Sequence, residues 1–596
     1  MILKKTSLIT SLPALAALVA VFAGCSGVAA PETESILREP ADSFPVQPDQ
    51  RVSPEMVSLY MKSRIAMRHR DRWSAYRYLQ TAVKIDGDNP VLQGDLATAS
   101  LHVGRTGEAV VAARKSLENR PNSIGVNSTL ARALDVECLR QGDNGPWQES
   151  LIVHEKLVEL DPSNFPYRIR LGQIASQLQK WDTAEQSYLE AEKLANSPDH
   201  RLEIGLKLGW LKMRKGNFRE AGDIFKQLHQ DHPDHRDSWQ AMIGVAMSLQ
   251  ATGNLEEAVD WLNRAHERNP GNNQIKGMLL TLHKKLGNLP EAVELAEELS
   301  AADPKNQKVK LELGMLNLEG KEYHRAEELF DELIGLNPDE AGYRYYRGLA
   351  VWRSGRMGEA EAEFKNTVRM APDRIEGWIH LGYVLLDLGK HAEAADSLAS
   401  ALVGAENHFE LLSLKCTAEF HLENFETAIE YGEAALKQRE RHPPAMFYLA
   451  AAYERTGEFD KAVRLFRDLL EDNPNHHQAA NYLSYMFSER GVNLQESLAL
   501  IRRVVEAEPE NGVYLDSLGW VYFKLGRLDD SLEALRKATE QNPDSLIYEH
   551  LGDVYMEKRM VKKAYEAYLK ARTAGGDDQA RIQEKVRQLL KSFSEQ

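Results

Sequence analysis

Few residues in this chain have a type and spacing that could do chemistry. Of its three cysteines, Cys25 closes an apolar N-terminal run, while Cys138 and Cys416 lie far apart in the body of the chain. Exported proteins usually pair their cysteines or omit them. These two are too distant to meet in a chain built from local contacts, and they read as small core residues. The best metal-ligand candidate is His229, His232 and His235, with Asp231 and Asp234 between them. That run straddles Pro233, where polar turn residues belong, and it reads as a solvated loop. His476 and His477 follow Pro474 in the equivalent place and also read as loop. There is no Gly-x-x-x-x-Gly-Lys-Ser/Thr phosphate loop, no His-Glu-x-x-His zinc helix and no Gly-x-Ser-x-Gly nucleophile elbow. The expectation is a chain with no catalytic residues, no cofactor and no metal.

Composition sets the partner class. The chain is 43% hydrophobic and 27% charged, a folded and well-solvated balance. Acidic residues outnumber basic ones by 89 to 73, for a net charge of -16. Phosphate backbones are held by basic faces, so nucleic acid is excluded as the main partner.

The first residues are an address rather than fold. Lys4 and Lys5 precede a short apolar run from Leu8 to Val21 that Pro13 interrupts, too short for a comfortable membrane span. The run ends Phe22-Ala23-Gly24-Cys25, which resembles the bacterial lipobox, with Phe22 where Leu is usual. The resemblance implies a signal peptide over 1–24, cleavage before Cys25 and acylation of its sulfur. Ser26 stands where an Asp would resemble an inner-membrane retention signal, which points to the outer membrane. Pro31, Pro40, Pro45 and Pro48 then mark 25–53 as an anchored, Pro-rich tether.

The elements behind this leader announce themselves by period. Pro270, Pro304, Pro338 and Pro372 are spaced by 34 residues, as are Pro509 and Pro543. Pro90, Pro121, Pro162, Pro198, Pro233, Pro443 and Pro474 extend the series at nearby spacings, and Glu406 stands where one further proline would fall. Within the period, Leu381-Gly382 precedes Ala394, Leu518-Gly519 precedes Tyr522, and Leu551-Gly552 precedes Tyr555, Ala564 and Tyr568. These marks resemble the tetratricopeptide repeat, the TPR. The resemblance implies an all-α, right-handed superhelical solenoid of helix-turn-helix units. About fourteen units are expected over 54–577, with an insertion at Gln141 to Pro146 and a capping helix over 578–596. Cys416 occupies the glycine slot of its unit, and Lys415 in the neighbouring leucine slot predicts loose packing there. Arg347 fills the same slot of another unit.

In the TPR family the first helix of each unit lines a concave groove, and positions two and five beyond the slot leucine face it. This places Trp210, Trp352, Tyr383, Tyr485, Trp520 and Phe523 on or near the inner wall, joined by Tyr345. Aromatic side chains there suit protein hot spots, or else pack on the next unit. The string NYLSYMFSERGVNLQESLALIRRVVEAEPENGVYLDSLGWVYFKLGR, followed by EHLGDVY, is similar to the C-terminal block of TPR outer-membrane lipoproteins of Gram-negative bacteria. That resemblance implies a non-enzymatic, periplasm-facing adaptor bound to the membrane by its lipid. Its partners would be envelope proteins or peptides: a periplasmic carboxyl-terminal processing protease with its cell-wall hydrolase substrates or, alternatively, the machinery of exopolysaccharide export or type IV pilus assembly. A glycan-binding solenoid is the third reading.

Overall fold

Proline and the residue before it set most helix boundaries. The residue preceding Pro is pushed out of the helical region, and Asp161, Asn269 and Asn337 accordingly take φ near -140° and ψ near 80° after the last helical turn. The next helix begins a few residues on, its first amides bonded by Asn164, Asn272, Asn306 or Asn511 as caps. The computed structural model describes residues 53–575 and 579–594. The leader, Cys25 and all of the tether but Ser53 lie outside the described residues. Ser53 caps the first helix.

Among the described residues the chain forms 31 α-helices and no strand. They pair as fifteen hairpins, each an A helix turning into a B helix, followed by one single helix, Gln579–Ser594. That is one hairpin more than the expected fourteen. The repeat marks counted in the sequence are the junctions between units, and fourteen junctions separate fifteen units. The insertion lengthens an A helix, Ile124–Gln141, to 18 residues against 13 in Pro90–His102. Gly142 then turns the chain at φ 58°, where the indole of Trp147 donates to its carbonyl at 2.7 Å.

The chain divides into two compact units, Met1–Ala302 and Asp303–Gln596. The described part of the first holds seven hairpins, from Pro54–Arg68 with Arg72–Ile85 to Asn273–Leu286 with Leu289–Ala302. The second holds eight, from Gln307–Glu319 with Tyr323–Leu336 to Ser545–Glu557 with Val561–Ala574, and the single helix. Within each unit an A helix lies between its own B helix and the preceding one. Burial on more than one side follows, most fully in Trp239–Ala251, where every residue from Ala241 to Leu249 is buried. A B helix such as Phe459–Asp472 buries one stripe, Ala462, Val463, Phe466, Leu469 and Leu470. Neighbouring A helices also touch, as Phe409–His421 touches Pro443–Arg455, and successive B helices make no comparable contact. The A row of each unit therefore runs on the inside of its curve.

In seven hairpins the two helices meet at a glycine on A and a large residue sixteen positions later on B. A methyl group on Gly172, Gly209 or Gly552 would lie 2.4 Å from the ring of Tyr188, Phe225 or Tyr568. Gly314 faces Phe330 and Gly348 faces Phe364 in the same way, while Gly382 and Gly519 face Leu398 and Leu535. Cys416 holds the small slot as expected and is fully buried. Its partner is also reduced: Gly432 occupies the large slot, and a methyl there would sit 3.1 Å from the Cys416 sulfur.

Lys415 does not loosen its hairpin. Its ammonium is buried, donates to the Ala395 carbonyl at 2.8 Å and pairs with Glu419 at 2.7 Å. Glu419 accepts in turn from Asn424 at 2.7 Å. Arg347 is likewise satisfied, by Asp331 at 2.6 Å, Glu363 at 2.9 Å and Glu327 at 3.1 Å. A long cation fills a leucine slot when its stem packs on apolar neighbours and its head meets a carboxylate.

The helix Gln579–Ser594 covers the end of the second unit, burying Ile582, Val586 and Leu589. Ion pairs hold it: Arg581 and Lys585 each lie 2.8 Å from Glu549, and Lys585 lies 2.6 Å from Asp553. Burial would push the Glu549 carboxyl up, but the bonds from Arg581 and Lys585 outweigh it and hold it below the usual glutamate range.

Two measurements check this packing. Gly552→Ala should destabilise the protein by about 1–3 kcal/mol through overpacking. Gly277→Ala, mid-helix with open space around it, should stabilise it by about 0.5–1 kcal/mol; thermal unfolding followed by circular dichroism reads both. The second concerns pH. A carboxyl depressed in the folded state contributes its stability above its unfolded pKa and loses it as pH falls through the folded value. Amide exchange in 579–594 should therefore accelerate on acidification below about pH 4, and Glu549→Gln should abolish that step.

Candidate partner-binding face

The inner row of A helices carries all seven aromatic candidates. In the first unit Trp210, on Pro198–Arg214, is half-buried with its ring edge-on to Phe225 at 5.0 Å. The other six belong to the second unit. Tyr345 and Trp352 lie on Ala341–Arg353, Tyr383 on Ile375–Asp387, Tyr485 on His477–Arg490, and Trp520 and Phe523 on Gly512–Lys524. Tyr345 and Trp520 are only 8% and 7% exposed, so a partner could reach no more than their edges. Trp352, Tyr383, Tyr485 and Phe523 are half-buried.

The structure gathers five of these six into two clusters, each locked by a histidine that sequence reasoning missed. His380 lies edge-on to Trp352 at 5.4 Å and to Tyr345 at 5.5 Å, and meets Tyr383 at 6.5 Å. Trp352 and Tyr383 are nearly parallel, 18° apart with centroids at 6.4 Å. The Tyr383 hydroxyl donates to Glu410 at 3.0 Å, and the Arg353 guanidinium covers Trp352 at 4.9 Å. Desolvation lowers the His380 pKa, favouring the neutral ring. In the second cluster Trp520 is sandwiched by His550 at 4.0 Å and Phe523 at 4.9 Å, and its indole donates to Glu489. His550 is fixed by Asp516 at 2.9 Å. The signal for both was present in the sequence: His-Leu-Gly recurs at 380–382 and 550–552. Each histidine precedes the slot leucine and stacks on an aromatic of the preceding A helix. Tyr485 stands apart from the two clusters, its hydroxyl pushed to higher pKa first by burial and then by Glu489 and Asp516.

The surroundings carry both charges. Besides Glu410 and Glu489, Glu454 accepts from the Tyr482 hydroxyl at 3.3 Å. Cations lie over the rings as well, Arg374 over Tyr345 at 5.5 Å and Lys524 over Trp520 at 4.7 Å, so the row offers aromatic side chains set among paired polar groups.

The other chemistry-bearing residues have structural duties. His229 hydrogen-bonds Ser238 at 2.8 Å, and His235 hydrogen-bonds Asp199 at 2.8 Å. Among the described residues no group of three His, Cys, Asp or Glu side chains could hold a metal ion. His476 and His477 are not plain loop. His476 caps Pro-following helix His477–Arg490, its ring accepting from the Ala479 amide at 3.2 Å, and His477 pairs with Glu508 at 2.8 Å. Their A helix begins at once after the Pro474 turn, which turns loop residues into cap residues. Ser150, Asp135 and His154 lie together, but the Ser150 hydroxyl donates to Asp135 at 2.8 Å and not to the imidazole. The arrangement is buried and bonded to Arg170 at 2.7 Å, so it does not activate a nucleophile.

Comparison with known proteins rests on the same helical hairpins. Family models described as "Tetratricopeptide repeat" match residues 212–281 and 420–484, and, in a second series, 278–341, 320–375, 345–408, 379–445 and 517–579. Together they span more than half of the chain. The chain belongs to the tetratricopeptide-repeat family. A TPR repeat-containing protein of Pseudomonas aeruginosa is 26% identical over 171 residues, 28% of this chain and 29% of that protein. A TPR repeat-containing protein of Bacillus subtilis is 29% identical over 138 residues, 22% of this chain and 30% of that protein. The chain thus spans under a third of the curated relatives it matches. Among solved structures, a tetratricopeptide repeat protein from Parabacteroides merdae aligns with 42% of this chain and 98% of its own at 20% identity and a TM-score of 0.36. Yeast Tom70 aligns with 76% and 99% at 16% identity and a TM-score of 0.31.

Burial defines the thiols as well. It pushes the Cys416 thiol up to about 12 and the Cys138 thiol up to about 11, the latter helped by Asp135. The Cys25→Ala chain should therefore give no reaction with Ellman's reagent at about pH 8, where an exposed thiol is partly ionised. Both remaining thiols should react once the chain is unfolded in denaturant.

Proposed function

We propose that this TPR protein is a non-enzymatic scaffold of the cell envelope that takes segments of other envelope proteins along its A-helix rows. The observation that carries this reading is the pair of aromatic clusters at Trp352–Tyr383 and Trp520–Phe523, rimmed by Glu410 and Glu489, on the inner helices of a TPR array. TPR proteins are characteristically binding scaffolds, and stacked aromatic anchors contribute large contact area at small entropic cost. Acylation at Cys25 would hold the chain to the outer membrane, facing the periplasm. Lys4, Lys5, the apolar run and the residues before Cys25 support that placement. The likeness of the 481–558 block to outer-membrane lipoprotein adaptors favours a periplasmic processing protease and its cell-wall hydrolase substrates as partners.

Photo-crosslinking from the inner row tests the reading, followed by mass spectrometry of what is captured in the native envelope. The wild-type chain should capture envelope proteins, and a Trp352→Ala/Tyr383→Ala chain of unchanged melting temperature should capture at least about tenfold less, as expected when hot-spot anchors are removed. Undiminished capture by the double variant would place the binding elsewhere. Cys25→Ala should shift the protein from the membrane to the soluble periplasmic fraction, and continued membrane attachment with an intact leader would remove the lipid anchor from the proposal.

A further inference from the structure

The two ends of the described chain are finished differently. At the C-terminal end the helix Gln579–Ser594 covers the last hairpin. At the N-terminal end the first A helix, Pro54–Arg68, faces outward. Its residues at successive turns are apolar and exposed: Val57 at 37%, Met61 at 55% and Ile65 at 54%. The B helix of the same hairpin adds Trp73, 54% exposed and edge-on to Tyr76 at 6.1 Å. Scattered exposed apolar residues need no explanation, but a file of them along one helix face does.

The charge around this file is opposite to that of the molecule. From Lys62 to Arg77 there are six Lys and Arg residues and one carboxylate, Asp71, in a chain whose net charge is -16. Arg64 is engaged with Asp95 at 3.3 Å, and Asp71 is engaged as a helix cap, accepting from the Ser74 amide at 3.1 Å. Lys62, Arg68, Arg70 and Arg72 lie exposed beside the apolar file.

We infer that this first hairpin is a docking face for an anionic phospholipid surface. A helix that presents Met, Ile and Val between Lys and Arg, with a tryptophan at its border, has the chemistry of an interfacial element. The apolar side chains enter the acyl boundary, the cations meet phosphate headgroups, and the indole sits between. The charge asymmetry also sets an orientation: an anionic surface attracts this end and repels the acidic body. The choice of a bilayer over another anionic partner rests on the envelope placement proposed above. Position agrees, since the hairpin is the first described element after Cys25. The face would hold the base of the array against the lipid, a restraint that a Pro-rich tether alone does not supply.

The test uses the full chain with Cys25→Ala, so that no acyl group contributes. Its binding is measured by co-sedimentation with vesicles of phosphatidylethanolamine and phosphatidylglycerol, and with vesicles of phosphatidylcholine alone. Salt-sensitive binding to the first and not to the second is expected. Arg68→Glu/Arg72→Glu should weaken it by about tenfold or more, and Met61→Ser/Ile65→Ser should abolish it. Because these side chains are exposed, the melting temperature should not move. Brominated lipid should quench tryptophan fluorescence in the parent chain and not in Trp73→Phe. Binding to both vesicles alike, binding untouched by these substitutions, or no binding at all would overturn the inference. So would a dimer in analytical ultracentrifugation that Met61→Ser/Ile65→Ser dissociates, which would assign the face to a second copy of the chain. A failed lipid anchor in cells leaves these vesicle results unaffected, so the two proposals fail separately.

Discussion

The close approach of an A helix to its own B helix governs everything else in this protein. A backbone without a side chain at Gly172, Gly209, Gly348 or Gly552 lets a Tyr or Phe ring of the partner helix lie directly on the main chain. Fully burying such a ring contributes about 1.5–3 kcal/mol, and the contact recurs hairpin after hairpin because each one can bury its apolar surfaces only against neighbours. The contact fixes the crossing of the two helices. The crossing fixes which face of each A helix meets the next A helix, and that in turn lines up the aromatic residues along the inner row. The candidate binding face is thus a by-product of how hairpins close.

This explains what could be read in the sequence and what could not. The glycine slots, the prolines and the small residue at Cys416 are local features with a fixed period, and they led directly to the hairpins and the buried thiol, while the apolar spacing of Ile582, Val586 and Leu589 gave the capping helix. Gly432 was invisible because its role depends on a residue in the other helix. Lys415 and Arg347 broke the leucine pattern. Their carboxylate partners Glu419, Asp331 and Glu363 come from a different turn or a different helix, and neighbours in space are not neighbours in period. The aromatic candidates were found by position, but position did not distinguish Tyr345 and Trp520, which are buried, from Trp352 and Tyr383, which keep exposed faces.

Two histidines give the inner row a mixed character. His380 and His550 join successive A helices through ring contacts, so the clusters stiffen the array as well as offering a surface. A scaffold that must present a partner in a fixed pose benefits from anchors that are part of its own framework, because little side-chain freedom is then lost on binding. Glu410, Glu454 and Glu489 fix that base further by accepting from Tyr383, Tyr482 and Trp520. The two ends of the array divide other duties between them, one closed by ion pairs and a helix, the other left apolar and basic.

The pairing of Cys416 with Gly432 is a mutual constraint. The contacts at Gly172, Gly209, Gly314, Gly348, Gly382, Gly519 and Gly552 set a residue without a side chain on the A helix against a large one on the B helix, and here a medium-sized A residue meets a B residue with no side chain. The side chain missing at Gly432 is made up from two sides, since a methyl there would sit 3.1 Å from the Cys416 sulfur and 3.0 Å from Leu449 of the following A helix. Enlarging Gly432 alone would drive a side chain into the sulfur, and shrinking Cys416 alone would open a void. A description that weighs each position separately sees two faults in this hairpin, whereas the space is shared among Cys416, Gly432 and Leu449 and is filled by the three together.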